Sequence, residues 1–190
     1  MGMCLSKWSK FWQQLTSGPM PLTIVLLGLT STGKTTLLYK LQNNTSETLP
    51  TIGFNIETVN TFRGIYLTIL DVGCGDKIRH EWKRYFLDAS GILFVVDSSD
   101  IKRLHSAKEA LHRYIVNCKE ARGIPLGVIA NKQDLPNTLT PKDLASGLEL
   151  CLIEDRQWFI HGMCAKTGSG IIESITLLIE AIKRTNMIRT

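Results

Sequence analysis

Residues Leu22 to Thr35 read LTIVLLGLTSTGKT, and the fold is decided here. LTIVLL is short, rich in branched residues and apolar on both faces, the pattern of a strand buried within a parallel sheet. Gly28-Leu29-Thr30-Ser31-Thr32-Gly33-Lys34-Thr35 then matches G-x-x-x-x-G-K-[ST] at every fixed position, and the apolar helical run TTLLYKL follows it. Strand, loop and helix in that order are the context this motif requires. Its glycines let the chain curl until successive N–H groups converge on phosphate oxygens, and the helix adds its positive end. Gly28, Thr32, Gly33 and Thr36 are therefore expected to frame a phosphate cradle. Lys34 would neutralise the outer phosphates, and the Thr35 hydroxyl would bind Mg²⁺.

Outward from this loop the same grammar repeats. IYLTILD (Ile65 to Asp71) and GILFVVD (Gly91 to Asp97) read as strands that each end in an aspartate. PLGVIANKQD (Pro125 to Asp134) reads as a strand running into a polar turn, and WFIHGM (Trp158 to Met163) as a last one. Helical periodicity is clearest over Lys102 to Val116 and Ile171 to Lys183. Strands alternating with helices predict an α/β fold, a mostly parallel sheet covered on both faces by right-handed crossovers. Ligands of such sheets sit at the carboxyl ends of the strands, so the chemistry is expected in the turns that follow them.

The chain has 190 residues, with 44% hydrophobic and 21% charged, a globular balance with room for one core. Its apolar runs fall far short of the roughly 20 residues that span a bilayer. A net charge of +5 comes from scattered cations, with small clusters at Lys7/Lys10 and Lys183/Arg184/Arg189. That scatter argues against a nucleic-acid partner; a basic edge facing anionic lipid is at least as good a reading, and solvated surface charge is the default. Five cysteines (Cys4, Cys74, Cys118, Cys151, Cys164) show no tight pairing, as expected in a reducing compartment. His161 and Cys164 have a spacing seen in metal sites but lack a second ligand pair.

Asn131-Lys132-Gln133-Asp134 selects the base. This N-K-x-D turn places a carboxylate, Asp134, where it can accept hydrogen bonds from the guanine N1–H and exocyclic amine, a donor pair that adenine lacks. An unpaired buried carboxylate costs several kcal/mol, so discrimination is steep. Cys164-Ala165-Lys166, after the last strand, resembles the loop that offers a backbone N–H to the guanine oxygen.

With these motifs in place, the chain resembles the ADP-ribosylation-factor and factor-like (Arf/Arl) branch of small GTPases over nearly its whole length. The resemblance rests on GLTSTGKTTLLYKL, LPTIGFN, LDVG, Trp82 and Tyr85, FVVDSSD, ANKQDLP and CAKTGSG. It implies a P-loop small-GTPase fold with a six-stranded sheet, binding GTP or GDP with Mg²⁺, and protein effectors and an exchange factor as partners. It also implies that Thr51 completes the Mg²⁺ shell, that Asp71 holds Mg²⁺ through water, and that Gly73 and Cys74 lie at the terminal phosphate. The segment from about Asn55 to Asp71 would change register against its neighbour between nucleotide states. Phe54 and Tyr85 match two of three aromatic effector contacts, and Leu70 stands where the third is usually tryptophan.

Met1-Gly2-Met3-Cys4-Leu5-Ser6 fits the N-myristoylation pattern at Gly2. Leu5, Trp8, Phe11, Trp12 and Leu15 fall within an arc of about 120° on a helical wheel, with Lys7, Ser9, Lys10, Gln13 and Gln14 opposite. Residues 1–17 thus read as an interfacial membrane-anchor helix, or alternatively one that packs on the domain, and 18–21 as a linker broken by Gly18, Pro19 and Pro21. Residues 22–190 then form the nucleotide-binding domain. One acyl chain binds marginally, so the helix or a palmitoyl on Cys4 would supply a second anchor. The expected location is cytoplasmic, peripheral on intracellular membranes such as Golgi or endosomes.

One stretch breaks the pattern. Where the Arf/Arl branch reads D-V-G-G-Q, this chain reads Asp71-Val72-Gly73-Cys74-Gly75. Gly75 stands where a glutamine orients the attacking water, and it has no side chain to do so, which predicts very slow hydrolysis. Cys74 replaces a glycine whose N–H meets the terminal phosphate, and Thr30 occupies a P-loop position that is usually Asp. Two readings remain open on sequence: a switch that cycles slowly, and a non-hydrolysing pseudo-GTPase serving as a lipid-anchored binding module. An ATP-using enzyme is disfavoured by Asn131 and Asp134.

Overall fold

Strand β1 (Met20–Gly28) is central because its two faces feed two separate cores. Val25 and Leu27 join one apolar cluster, whereas Ile24 and Leu26 join the other, as the two-residue period of a strand requires. The same division recurs in β4 (Gly91–Asp97): Ile92, Phe94 and Val96 face one layer, Leu93 and Val95 the other. This computed structural model describes residues 20–41, 54–61, 65–72 and 79–189, with the backbone alone for 20–21, 54–61, 65–72 and 188–189.

The sheet has six strands in the order β2-β3-β1-β4-β5-β6. Here β2 is Phe54–Thr61, β3 Ile65–Val72, β5 Leu126–Asn131 and β6 Trp158–Gly162. All neighbours are parallel except β2 and β3, which pair antiparallel from Phe54↔Val72 to Thr61↔Ile65. The register of β3 on β1 runs from Met20↔Ile65 to Leu26↔Asp71. Strand order reverses at β1, so the crevice beyond its carboxyl end is the topological position where such sheets bind ligands.

Helix α1 (Lys34–Leu41) packs Leu37 and Leu38 on one face of the sheet beside α4 (Ile171–Arg189). Helix α4 is seated by Ile171, Ile175, Leu178, Ile179 and Ile182, a 3–4 residue spacing that stacks one apolar stripe against the strands. Each such side chain contributes about 1.5–3 kcal/mol on burial. The opposite face carries α2 (Leu104–Leu111) and α3 (Pro141–Gly147), with Ala107, Ala110, Leu111, Leu144 and Leu148 in its core.

The helical segment expected over Lys102 to Val116 is continuous in path but not in type. It begins as a 3₁₀ turn at Ile101–Arg103, becomes α2, and ends as a π-helix over His112–Val116. The wider turn brings Tyr114 edge-on to Trp82 and His80, with ring centroids 5.9 and 5.2 Å away. Trp82 opens a 3₁₀ turn ending at Tyr85 and is fully buried beneath that contact. Helix α4 runs six residues past the expected Lys183. Among the described residues no helix is long and apolar enough to cross a membrane.

Candidate functional site

Three turns at the carboxyl ends of β1, β5 and β6 meet at one side chain. Asn131, 2% exposed at the end of β5, donates from Nδ2 to the Thr32 carbonyl at 2.7 Å, and its Oδ1 accepts the Ala165 N–H at 2.9 Å. One amide thus fastens the G-x-x-x-x-G-K-T loop to the C-A-K loop. Its fit explains Gly33: any Cβ there would strike the Asn131 amide nitrogen, and φ is +94°. Gly28 is constrained likewise, since a Cβ would collide with the Val95 carbonyl on neighbouring β4. Both loop glycines are therefore required by close approach, of a side-chain amide at Gly33 and of a backbone carbonyl at Gly28.

Lys34 is buried at the start of α1, and its Nζ donates to the Leu29 carbonyl at 2.9 Å. The ammonium is held back across the loop it belongs to. Thr32 Oγ1 donates to the same carbonyl at 3.0 Å. Thr35 and Thr36 occupy the first turn of α1, at the positive end of the helix dipole. Ser31 adopts φ +62°, a left-handed conformation that costs a non-glycine residue of order 1 kcal/mol.

The N-K-Q-D turn shows the same strain, with Lys132 at φ +66°. Lys132 Nζ pairs with Asp97 Oδ2 at 2.6 Å. Burial pushes the Asp97 carboxyl up, but hydrogen bonds from Lys132 and from the Ser99 hydroxyl and amide outweigh it and hold the group below its ordinary value. Asp134 is exposed beyond this pair. The Cys164 thiol and the aspartate's own amide, with Lys166 and Lys132 nearby, hold its carboxyl below the usual range. It is an anion at neutral pH with acceptor capacity facing solvent. Gln133 N–H donates to the Met163 carbonyl at 3.2 Å, joining this turn to the end of β6.

The structure therefore brings together Gly28, Thr32, Gly33, Lys34, Thr35, Thr36, Asn131, Lys132, Asp134, Cys164, Ala165 and Lys166 at the carboxyl end of the sheet. Asp71 lies at the same end, paired in register with Leu26 of β1 and Asn55 of β2. Phe54 starts β2 and Leu70 sits opposite Ile56, two register positions along the same strand pair. Tyr85 is half-buried against the α2-side core. Gly2, Thr51, Gly73, Cys74 and Gly75, and the helix expected over residues 1–17, lie outside the described residues. Among the described residues no cluster of metal ligands is found, and His161 Nδ1 meets Ser174 Oγ at 3.1 Å rather than facing Cys164.

Sequence reasoning missed Arg103 and gave Asp97 no role beyond ending its strand. Arg103 Nη1 donates to the Thr30 carbonyl at 2.7 Å, and its Nε pairs with Asp100 Oδ2 at 2.6 Å. The signal was available: D-S-S-D after β4 supplies the aspartate whose carboxylate caps the 3₁₀ turn at the Arg103 N–H.

A glycine-curled loop between β1 and α1, with an N-K-x-D turn two strands away and a C-A-K loop stitched to both, defines a P-loop small-GTPase fold. The family model for the ADP-ribosylation factor family matches residues 8–182. Among solved structures, the chain is similar to the Arl6 BBS3 small GTPase from Trypanosoma brucei with bound nucleotide analogue GppNp. Identity is 28%, 87% of this chain and 99% of that chain are covered, and the TM-score is 0.80. This chain belongs to the ADP-ribosylation factor family.

Proposed function

We propose that the protein is a membrane-associated guanine-nucleotide switch that binds GDP and GTP with Mg²⁺, recruits protein effectors, and hydrolyses GTP very slowly. One observation carries the binding part: Asn131 ties the phosphate loop to the C-A-K loop while the ionised Asp134 faces solvent beside them. A purine whose edge offers two adjacent donors satisfies Asp134, and the Ala165–Lys166 loop lies within reach of the same edge. The diphosphate then falls on the N–H groups at the start of α1, with Lys34 spanning them. The related Trypanosoma protein, with its bound GppNp, supports the same ligand class here.

The residues present suit Mg²⁺. The Thr35 hydroxyl and the Asp71 carboxyl group, on residues at the start of α1 and near the carboxyl end of β3, belong to the hard oxygen donors that this ion takes, with Thr51 as the third candidate. When bound, the ion would neutralise charge between the outer phosphates. Gly75 removes the side chain that would orient an attacking water, so a bound triphosphate persists. The bound state would then be set by exchange and nucleotide supply. A second reading, a pseudo-GTPase that never turns over, is favoured by the joint departures at Thr30, Cys74 and Gly75. In both readings residues 1–17, myristoylated on Gly2, anchor the 22–190 domain to a membrane, and Phe54, Leu70 and Tyr85 form part of the effector surface.

Calorimetry with Mg²⁺ tests the binding reading: tight uptake of GDP and GTP and none of ATP is expected, and uptake of neither guanine nucleotide refutes it. Single-turnover GTP hydrolysis then separates the two mechanisms, with slow but measurable decay for the first and none for the second. Gly75→Gln is expected to raise the rate by at least tenfold; an unchanged rate removes the glycine as the cause.

A further inference from the structure

The tip of the phosphate loop is gripped from outside by a residue of the neighbouring turn. Arg103, in the 3₁₀ turn after β4, donates from Nη1 to the Thr30 carbonyl at 2.7 Å. Its guanidinium is oriented before it reaches the loop: Nε pairs with Asp100 Oδ2 at 2.6 Å, and Nη2 lies 4.0 Å from Asp97 Oδ2. Asp97 is in turn fixed by Lys132 at 2.6 Å and by the Ser99 hydroxyl at 2.6 Å. An unbroken set of charges therefore runs from the loop tip to the base-reading turn.

The peptide that Arg103 holds is the one joining Thr30 to Ser31. Among the described residues every peptide bond is trans, so the Thr30 carbonyl and the Ser31 N–H point in opposite directions. By holding the Thr30 carbonyl, Arg103 also fixes the opposite direction of the Ser31 N–H. That orientation is not self-sustaining, because Ser31 sits at φ +62°, where a residue with a Cβ stays only when its surroundings hold it. A cation on the carbonyl also polarises the whole peptide unit and makes its N–H a stronger donor.

We propose that Arg103 is a positioning residue for the phosphate cradle, holding the Thr30–Ser31 peptide so that the Ser31 N–H faces the bound phosphates. The inference rests on the guanine-nucleotide reading above. The Arg103 side chain is 37% exposed and lines a small cleft with Leu29, Val96 and Ala107, so Arg103→Lys, which keeps the aliphatic stem, separates loss of the hydrogen bond from loss of packing.

The test uses the full chain, ¹⁵N-labelled and loaded with GDP and Mg²⁺, compared with Arg103→Ala and Arg103→Lys. Arg103→Ala is expected to raise the GDP dissociation rate about tenfold, the effect of one charge-assisted bond at a half-exposed site, and to move the Ser31 amide proton upfield. Arg103→Lys, which keeps one cationic donor, is expected to recover most of both changes. A dissociation rate within twofold of the parent, or a Ser31 amide that stays in place while GDP leaves faster, overturns the assignment. A parent that takes up no GDP instead refutes the functional reading, and is told apart because it fails before any substitution is made.

Discussion

Replacing Asn131 isosterically should undo the site without changing its shape. In Asn131→Asp, one oxygen still accepts the Ala165 N–H, but the atom 2.7 Å from the Thr32 carbonyl becomes a second acceptor. One buried bond is lost and a charge is set against a carbonyl at a position 2% exposed. Leaving one buried group unsatisfied costs about 1–3 kcal/mol, and the charge adds to it, for a total of roughly 2–4 kcal/mol at pH 7. With a urea m-value of about 2 kcal/mol/M, the unfolding midpoint falls by about 1–2 M at fixed nucleotide. Trp82, fully buried, reports that transition by fluorescence. A second signature separates this account from generic damage. Once protonated, the introduced carboxyl could again donate to the Thr32 carbonyl, so its folded pKa is raised above the unfolded value. The variant's deficit relative to the parent should therefore shrink as pH falls from 7 towards about 5. A variant within about 0.5 kcal/mol of the parent at pH 7, or a deficit that does not change with pH, refutes the tie between the two loops.

The remaining predictions concern single groups. Asp97 has a folded pKa below its ordinary 3.8, so its contribution to stability is fully present above that value and is lost as pH falls through the lower one. Asp97→Asn should accordingly flatten the acid limb below about pH 5 in a pH-resolved urea series, and an unaltered slope would remove Asp97 from the acid response. Asp134→Asn exchanges an anionic acceptor pair for a mixed donor and acceptor, so competition binding should show GDP affinity falling at least a hundredfold while xanthosine diphosphate binds better than it does to the parent. Thr140 caps α3 with Oγ1 accepting the Asp143 N–H at 3.2 Å, and Asp143 closes a capping box back to the Thr140 N–H at 3.3 Å. Thr140→Ala should cost about 1 kcal/mol and lower Tm by about 2–4 °C, with GDP affinity unchanged.

Strand β4 was legible to the residue because GILFVVD is apolar throughout and ends at a charge. Strand β1 proved two residues longer at its start, since Met20 and Pro21 also pair with β3, a tertiary fact with no local signature. Strand β2 was not named as a strand: FNIETVNT lies at the sheet edge, held on one side only by β3, and its mixed polarity matches neither buried template. Helix α3 escaped notice although Thr140-Pro141-Lys142-Asp143 carries both a cap and a first-turn proline. The π segment could not be read at all, because helical periodicity is blind to one added residue whose placement depends on Tyr114 meeting Trp82 and His80. For the site, motif spacing gave the phosphate loop and the base-reading turn. The Arg103 grip was hidden, as it pairs a side chain with a main-chain carbonyl 73 positions away, and carbonyls have no residue identity.

The Asn131 tie also sets an order of events for a chain being made on the ribosome. The amide that secures Thr32 lies 99 positions downstream of it, and the Ala165 N–H a further 34. Until that last segment emerges, the loop is a tether without its clasp, so the three turns close on one another only when nearly the whole chain has been made. Such distant closures are slow to find. A nucleotide present at that moment would serve as the template on which the three turns converge.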